Sequence, residues 1–173
     1  MASTQSQLFY RVENIIHDMV DRANAAGDRT VNLFGSQLQL PEERRFGNLE
    51  GVQRYIDGVR ELNWVRQEWP ERAAVRLRVV PRQMKPGRGE RLPVLYADGR
   101  ISMPGDDLRD SEVYRRELVV LHELAHHFAY HIEANHHGPE FLGVYARLVE
   151  EIIGPEMRLL MQMNWYEAGL RQS

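Results

Sequence analysis

Apolar residues recur at helical spacing early in the chain. Leu8, Val12, Ile15, Ile16, Met19, Val20 and Ala23 share one face over residues 7–26, and Gly27 supplies a stop. His17 falls on the flank of this helix and reads as a surface or rim histidine. A second helix is predicted from about Leu49 to Glu68, with Val52, Tyr55, Ile56, Val59, Leu62 and Val65 inward and Pro70 just beyond its end. Between the two, residues 30–34 and 37–40 alternate with period two around Gly35-Ser36, the pattern of a short hairpin.

The periodicity then changes. Residues 74–80 alternate cleanly, placing Val75, Leu77 and Val79 on one face and Arg76 and Arg78 on the other, so a strand is expected there. A basic loop over residues 81–91 follows, then a strand over 92–97, a turn at Asp98-Gly99 and a returning strand over 100–103. Three strands of this kind predict a small, mainly antiparallel sheet. The next helix is expected to be capped by Asp110 or Ser111 and to run to about Glu133. Its middle, Leu118-Val119-Val120-Leu121 and Leu124-Ala125, is apolar almost all round, which predicts a central position. Pro139 can open a further helix to Ile153, and Gly154-Pro155 breaks it before a last one to about Ala168. The expected fold is α+β: one domain over residues 1–173, with a three- or four-stranded sheet against a central helix and residues 1–6 as a flexible tail.

Composition narrows the chemistry. A chain of 173 residues buries about two-thirds of its unfolded surface and needs no covalent staple. With no cysteine, disulfides, thiolate zinc sites, Fe–S clusters and thiol nucleophiles are all excluded, so any metal must be held by His, Asp or Glu. The net charge of −3, from 22 basic and 25 acidic residues, excludes a globally basic nucleic-acid binder. Locally, Arg72, Arg76, Arg78, Arg82, Lys85, Arg88 and Arg91 make the 72–91 region basic, which leaves nucleic acid or an acidic partner open against the plainer reading of a solvated face. The chain begins with no cationic segment and has no long apolar run, so a cytoplasmic protein without a membrane span is expected.

Six of the seven histidines crowd between positions 122 and 137. Within the apolar helix stands His122-Glu123-Leu124-Ala125-His126. A spacing of four advances about 400°, so both imidazoles leave one helix face about a turn apart and can grip one ion. Glu123 lies about 100° round the helix from His122, where it can serve a metal-bound water as general base. A catalytic zinc takes three protein ligands and keeps one position open. His136, His137, Glu140, Glu150 and Glu151 are the candidates for the third. A histidine in the 134–138 turn can reach back only if the helix ends by about Glu133. His127 and His131 form another pair at a spacing of four, turned about 140° from the first, and read as a polar flank.

The run His137-Gly138-Pro139-Glu140-Phe141 after His122-Glu123-Leu124-Ala125-His126 resembles the SprT/Spartan-like zinc metallopeptidases, and Gly99-Arg100-Ile101-Ser102-Met103-Pro104 resembles the strand leading into their metal helix. Over residues 45–155 the chain is also similar to a family of small actinobacterial HExxH metallohydrolases of unassigned substrate. The shared features are Val52-Gln53-Arg54-Tyr55, the GxIxxP strand and residues 118–127. The resemblance implies a zincin-like fold, one zinc per chain on His122, His126 and His137, and Glu123 as general base. Two departures limit it. The His126 to His137 gap is shorter than in Spartan-like enzymes, and their cysteine zinc ribbon is impossible here, so DNA–protein crosslink repair does not carry over.

The expected activity is hydrolysis of an amide or peptide bond, with a peptide or protein as substrate. An edge strand, residues 92–97 or 100–103, can hold an extended peptide by backbone pairing. Tyr96, Arg115, Tyr130 and Tyr145 are candidates for stabilising an oxyanion. Two alternatives use the same residues: a non-peptidase amidase or deacylase, and a metal-binding regulatory or nucleic-acid-binding module without turnover.

Overall fold

The computed structural model describes residues 4–82, 93–107, 111–130 and 136–173. Among these the chain is α+β, with seven α-helices and two small sheets. In chain order the elements are α1 (Thr4–Ala26), β1 (Thr30–Leu33), β2 (Ser36–Gln39), α2 (Leu49–Glu61), α3 (Asn63–Glu68), α4 (Pro70–Ala74), β3 (Arg78–Arg82), β4 (Val94–Leu95), β5 (Arg100–Pro104), α5 (Glu117–Phe128), α6 (Pro139–Ile152) and α7 (Pro155–Glu167). They pack as two compact units, one formed by residues 4–42 with 136–173 and the other by residues 43–130.

In the first unit, α1 buries Phe9, Val12, Ile16, Val20 and Ala23, which is the predicted face. The aromatic core is a chain of ring contacts: Phe9 meets Phe141 edge to face at 5.4 Å, and tilted pairs join Phe141 to Tyr145 at 5.7 Å and Tyr145 to Trp165 at 6.0 Å. The hairpin forms as expected, with Phe34 (φ 49) and Gly35 (φ 82) both in the left-handed region that a two-residue hairpin loop demands. The helix breaks at Pro139 and at Gly154-Pro155 also fall where proline predicts. The start differs. Residues 4–6, expected in a tail, are the first turn of α1, and Ser6 is buried.

In the second unit, α2 ends at Glu61 because Leu62 adopts an extended ψ of 134, so the single helix expected to Glu68 is two. Pro70 opens the short α4, anchored by Trp69 stacking on Phe128 at 4.8 Å. The expected strand over 74–80 is thereby displaced: Ala74 ends α4, Leu77 is fully buried, and pairing begins only at Arg78. Pro81 is accommodated because β3 is an edge strand, where a missing N–H costs no ladder bond.

The sheet order is β3-β5-β4, and the expected mainly antiparallel sheet is instead mixed. β4 and β5 form the predicted hairpin, with Tyr96 N–H donating to the Arg100 carbonyl, whereas β3 pairs parallel to β5 from Arg78↔Arg100 to Arg82↔Pro104. The long 83–93 connection lets β5 fall between its two predecessors, an order that alternation cannot reveal. Gly99 (φ 86) is required at the turn, because a Cβ there would lie 2.8 Å from the Arg76 carbonyl oxygen. The outer edge of β3 is covered by one side chain: the Gln53 amide donates to the Leu77 carbonyl at 3.0 Å and accepts from Val79 N–H at 2.7 Å.

The central helix is shorter than predicted. A 3-10 turn at Ser111–Val113 precedes it, and Arg116 is extended (φ −112, ψ 149) and bridges to Arg45. Helix α5 therefore starts at Glu117, six residues after Ser111, and ends at Phe128 rather than near Glu133. Its first-turn N–H groups are met by residues 43 and 44; Ser111 lies too far upstream to be its N-cap, and Asp110 is outside the described residues. Glu43 Oε1 accepts from Leu118 N–H at 3.1 Å, and the Arg44 carbonyl accepts from Glu117 N–H at 3.0 Å. Glu117 in turn receives the Arg44 N–H at 2.9 Å and the Tyr55 hydroxyl at 2.7 Å. Burial, reinforced by the Glu117 charge, pushes the Tyr55 phenol far above its ordinary value, so it stays a donor.

Candidate metal centre

Helix α5 is buried on almost every side, and Leu121, Leu124 and Ala125 have no exposed surface. In that setting it presents His122, Glu123 and His126, the first two buried and the third half-buried. The two imidazoles converge, with Nε2 to Nε2 at 3.0 Å and ring centroids 4.9 Å apart. Two nitrogens bound to one tetrahedral ion at 2.0–2.1 Å sit about 3.4 Å apart, so the pair is spaced for a shared ion.

His137 immediately precedes Gly138, the N-cap of α6, and is buried. Its ring stacks on Phe9 at 4.4 Å and 11°, and meets Tyr10 and Phe141 edge-on, each at 4.9 Å. Its Nδ1 lies 3.0 Å from Ser6 Oγ. Among the described residues, His122, His126 and His137 form a group that could hold a metal ion.

The other candidates for the third ligand sit differently. His136 and Glu140 are exposed, while Glu150 is paired with Arg158 and Glu151 with Arg147. Of the oxyanion candidates, Tyr145 is buried against Phe141 and Trp165, and Arg115 donates to the Phe46 carbonyl at 3.1 Å and to Asp106 at 3.4 Å. Tyr96 and Tyr130 are exposed, lying under Arg100 and Arg72 respectively. Lys85, Arg88, Arg91 and His131 lie outside the described residues. No helix among the described residues is long and apolar enough to cross a membrane.

His127, expected on a polar flank, is buried and clasped by Arg72. The guanidinium donates to the His127 carbonyl through Nε at 2.8 Å and to Nδ1 through Nη2 at 2.7 Å. Because an arginine can only donate, Nδ1 is the acceptor and Nε2 carries the hydrogen, which it gives to the Arg72 carbonyl at 2.8 Å. Burial, helped by the Arg72 and Arg60 charges, lowers its pKa from 6.5 to about 4, although the bond to the Arg72 carbonyl opposes the shift. The unfolded chain therefore binds the extra proton first, and the contribution of His127 to stability falls as pH drops from about 6.5 to about 4. In urea unfolding of the metal-free protein across that window, the midpoint should fall more steeply for wild type than for His127→Gln.

Ser6, Gln5 and Phe9, which surround His137, were not among the residues the sequence pointed to. The Ser6 to His137 separation of 131 residues carries no local signal. Compared with known proteins, the chain matches no family model, no curated protein and no solved structure.

Proposed function

We propose that this chain is a zinc-dependent hydrolase of amide or peptide bonds, with a zincin-like arrangement of the kind implied by its likeness to SprT/Spartan-like metallopeptidases. The observation that carries the reading is the 3.0 Å approach of the His122 and His126 Nε2 atoms on α5, with buried Glu123 beside the first of them. His122, His126 and His137 would hold the ion. Zinc, when bound, supplies Lewis acidity that makes water nucleophilic near neutral pH and polarises a carbonyl. Glu123 accepts a proton from the attacking water on its carboxylate and returns it to the leaving nitrogen.

Strand placement supports an extended substrate. β5 is paired on both sides and Gln53 occupies the outer edge of β3, whereas β4 is an edge strand packed next to α5. Among the described residues this arrangement favours the 92–97 segment, of which 93–97 are described, over the central strand for peptide pairing.

The test begins with metal content. After zinc reconstitution and dialysis, wild type and His136→Ala should each retain one zinc per chain, while alanine at His122, His126 or His137 should reduce it. Incubation with a mixed peptide pool should then release new amino termini in a zinc-dependent manner. A reconstituted wild type without bound zinc would overturn the metal reading. A zinc protein that cleaves small acyl amides but no peptide would replace the peptidase reading with an amidase one.

A further inference from the structure

We infer that Arg72 is a positioning residue of the metal centre: its grip on His127 fixes the rotation of α5, and with it the direction in which His126 points. The inference rests on the metal reading above and goes beyond it in assigning a residue that is itself no ligand. Apolar burial cannot set that rotation by itself. α5 is buried among apolar groups on almost every side, and the hydrophobic effect has no direction, so directional bonds must fix how the helix is turned. His126 also lies in the last turn of a helix that ends at Phe128, where carbonyls lack intrahelical partners and the end is prone to fray. Arg72 supplies the direction there. Its Nε donates to the His127 carbonyl at 2.8 Å, satisfying one of those carbonyls, and its Nη2 donates to His127 Nδ1 at 2.7 Å. In return the ring Nε2–H donates to the Arg72 carbonyl at 2.8 Å. Backbone and side chain of one residue are thus tied to backbone and side chain of the other. Neighbouring residues stand about 100° apart on a helix, so holding His127 holds His126 as well.

The clamp is mounted on a second helix. Arg60 of α2 donates to the Ala73 carbonyl at 3.1 Å, which ties α4 to α2, and Trp69 stacks on Phe128 beside the clasp. α2 also reaches the other end of α5, where the Tyr55 hydroxyl donates to Glu117 at 2.7 Å. One helix therefore braces both ends of the segment that carries His122, Glu123 and His126, all within residues 43–130. Ligand directions must be kept to within about 10–20°. Of the two braces, the Arg72 clasp is the one that adjoins a ligand, His126. Arginine suits the task because its donors stand in a fixed planar fork, whereas lysine offers a point charge on a flexible stem.

The experiment compares wild type, Arg72→Met and Arg72→Lys by zinc competition against a chromophoric chelator and by the visible spectrum of the cobalt(II)-loaded protein. Arg72→Met should lose about tenfold in zinc affinity, the lower end of what loss of support around a metal ligand costs. Its cobalt bands should change in position or intensity, whereas a protein that was merely less stable, but folded, would keep them. Arg72→Lys retains the charge at the end of α5 but not the fork, and should recover little of the affinity. Wild-type affinity in Arg72→Lys would assign the effect to charge and overturn the inference. Wild-type affinity and bands in Arg72→Met would overturn it too, while absence of metal binding in wild type would overturn the metal reading beneath it. If Arg72→Met does not fold, Arg72→Lys decides on the same criterion. Long-range 1H–15N spectra of metal-free wild type check the clasp independently: His127 should carry its hydrogen on Nε2, and a ring protonated at Nδ1 would overturn the assignment.

Discussion

Glu43→Ala is expected to destabilise the second unit by about 3–5 kcal/mol, the cost of leaving a buried partner charge uncompensated. The Glu43 side chain has no exposed surface, and Arg116 almost none. The pair is bidentate, with Nε to Oε1 at 2.9 Å and Nη2 to Oε2 at 2.7 Å. Glu43 Oε1 also accepts the Leu118 N–H, one of the orphan donors in the first turn of α5. Alanine removes the counter-charge and the cap together and leaves the guanidinium buried. Replacing both partners, Glu43→Met with Arg116→Met, should cost distinctly less, because no charge is then stranded. Urea unfolding of wild type, Glu43→Met, Arg116→Met and the double variant gives the coupling directly. Equal losses in the Glu43→Met single and the double variant would show that the cap, and not the ion pair, dominates.

That network also explains why the start of α5 was misplaced by sequence reasoning. Asp110 and Ser111 are local capping residues of the right type, and nothing nearby argues against them. The actual cap comes from Glu43, 75 positions earlier, and depends on an extended Arg116 that no propensity predicts. The same limit applies to the sheet. The residues of β4 and β5 were legible from alternation and Asp98-Gly99, but the parallel pairing of β3 follows from how a long connection is routed. Features set by proline, glycine or amphipathic period were legible, as α1, the hairpin, α6 and α7 show.

Within the site, legibility divides along the same line. His122 and His126 are neighbours on one helix face by arithmetic alone, and their 3.0 Å approach needs only that α5 be helical. His137 was separable from His136 by resemblance but not by spacing. In the structure one is buried and the other exposed, a difference produced by the left-handed turn before Pro139. Ser6 had no signal at all, since a single polar residue before the first apolar repeat looks like a tail. His127 misled for the opposite reason: a histidine off the ligand face normally points to water, and its partner Arg72 sits on α4, 55 positions away.

Glu123→Gln is expected to abolish most turnover while leaving the metal in place. Glu123 follows His122 by one residue and is buried, so its carboxylate projects beside the His122–His126 pair without being one of the proposed ligands. Glutamine keeps the volume and the hydrogen-bonding reach of the side chain but cannot take a proton, so the loss isolates base catalysis. On whichever peptide or amide wild type cleaves, kcat should fall about 10²- to 10⁴-fold with little change in KM. Zinc content should stay at one per chain. His126→Ala should instead lose zinc and activity together, because it removes a ligand and not the base. Glu123→Asp separates position from chemistry: it remains a base but falls short by one methylene, so partial activity is expected. If Glu123→Gln turned over the same substrate at the wild-type rate with zinc bound, proton transfer would have to be assigned to another group.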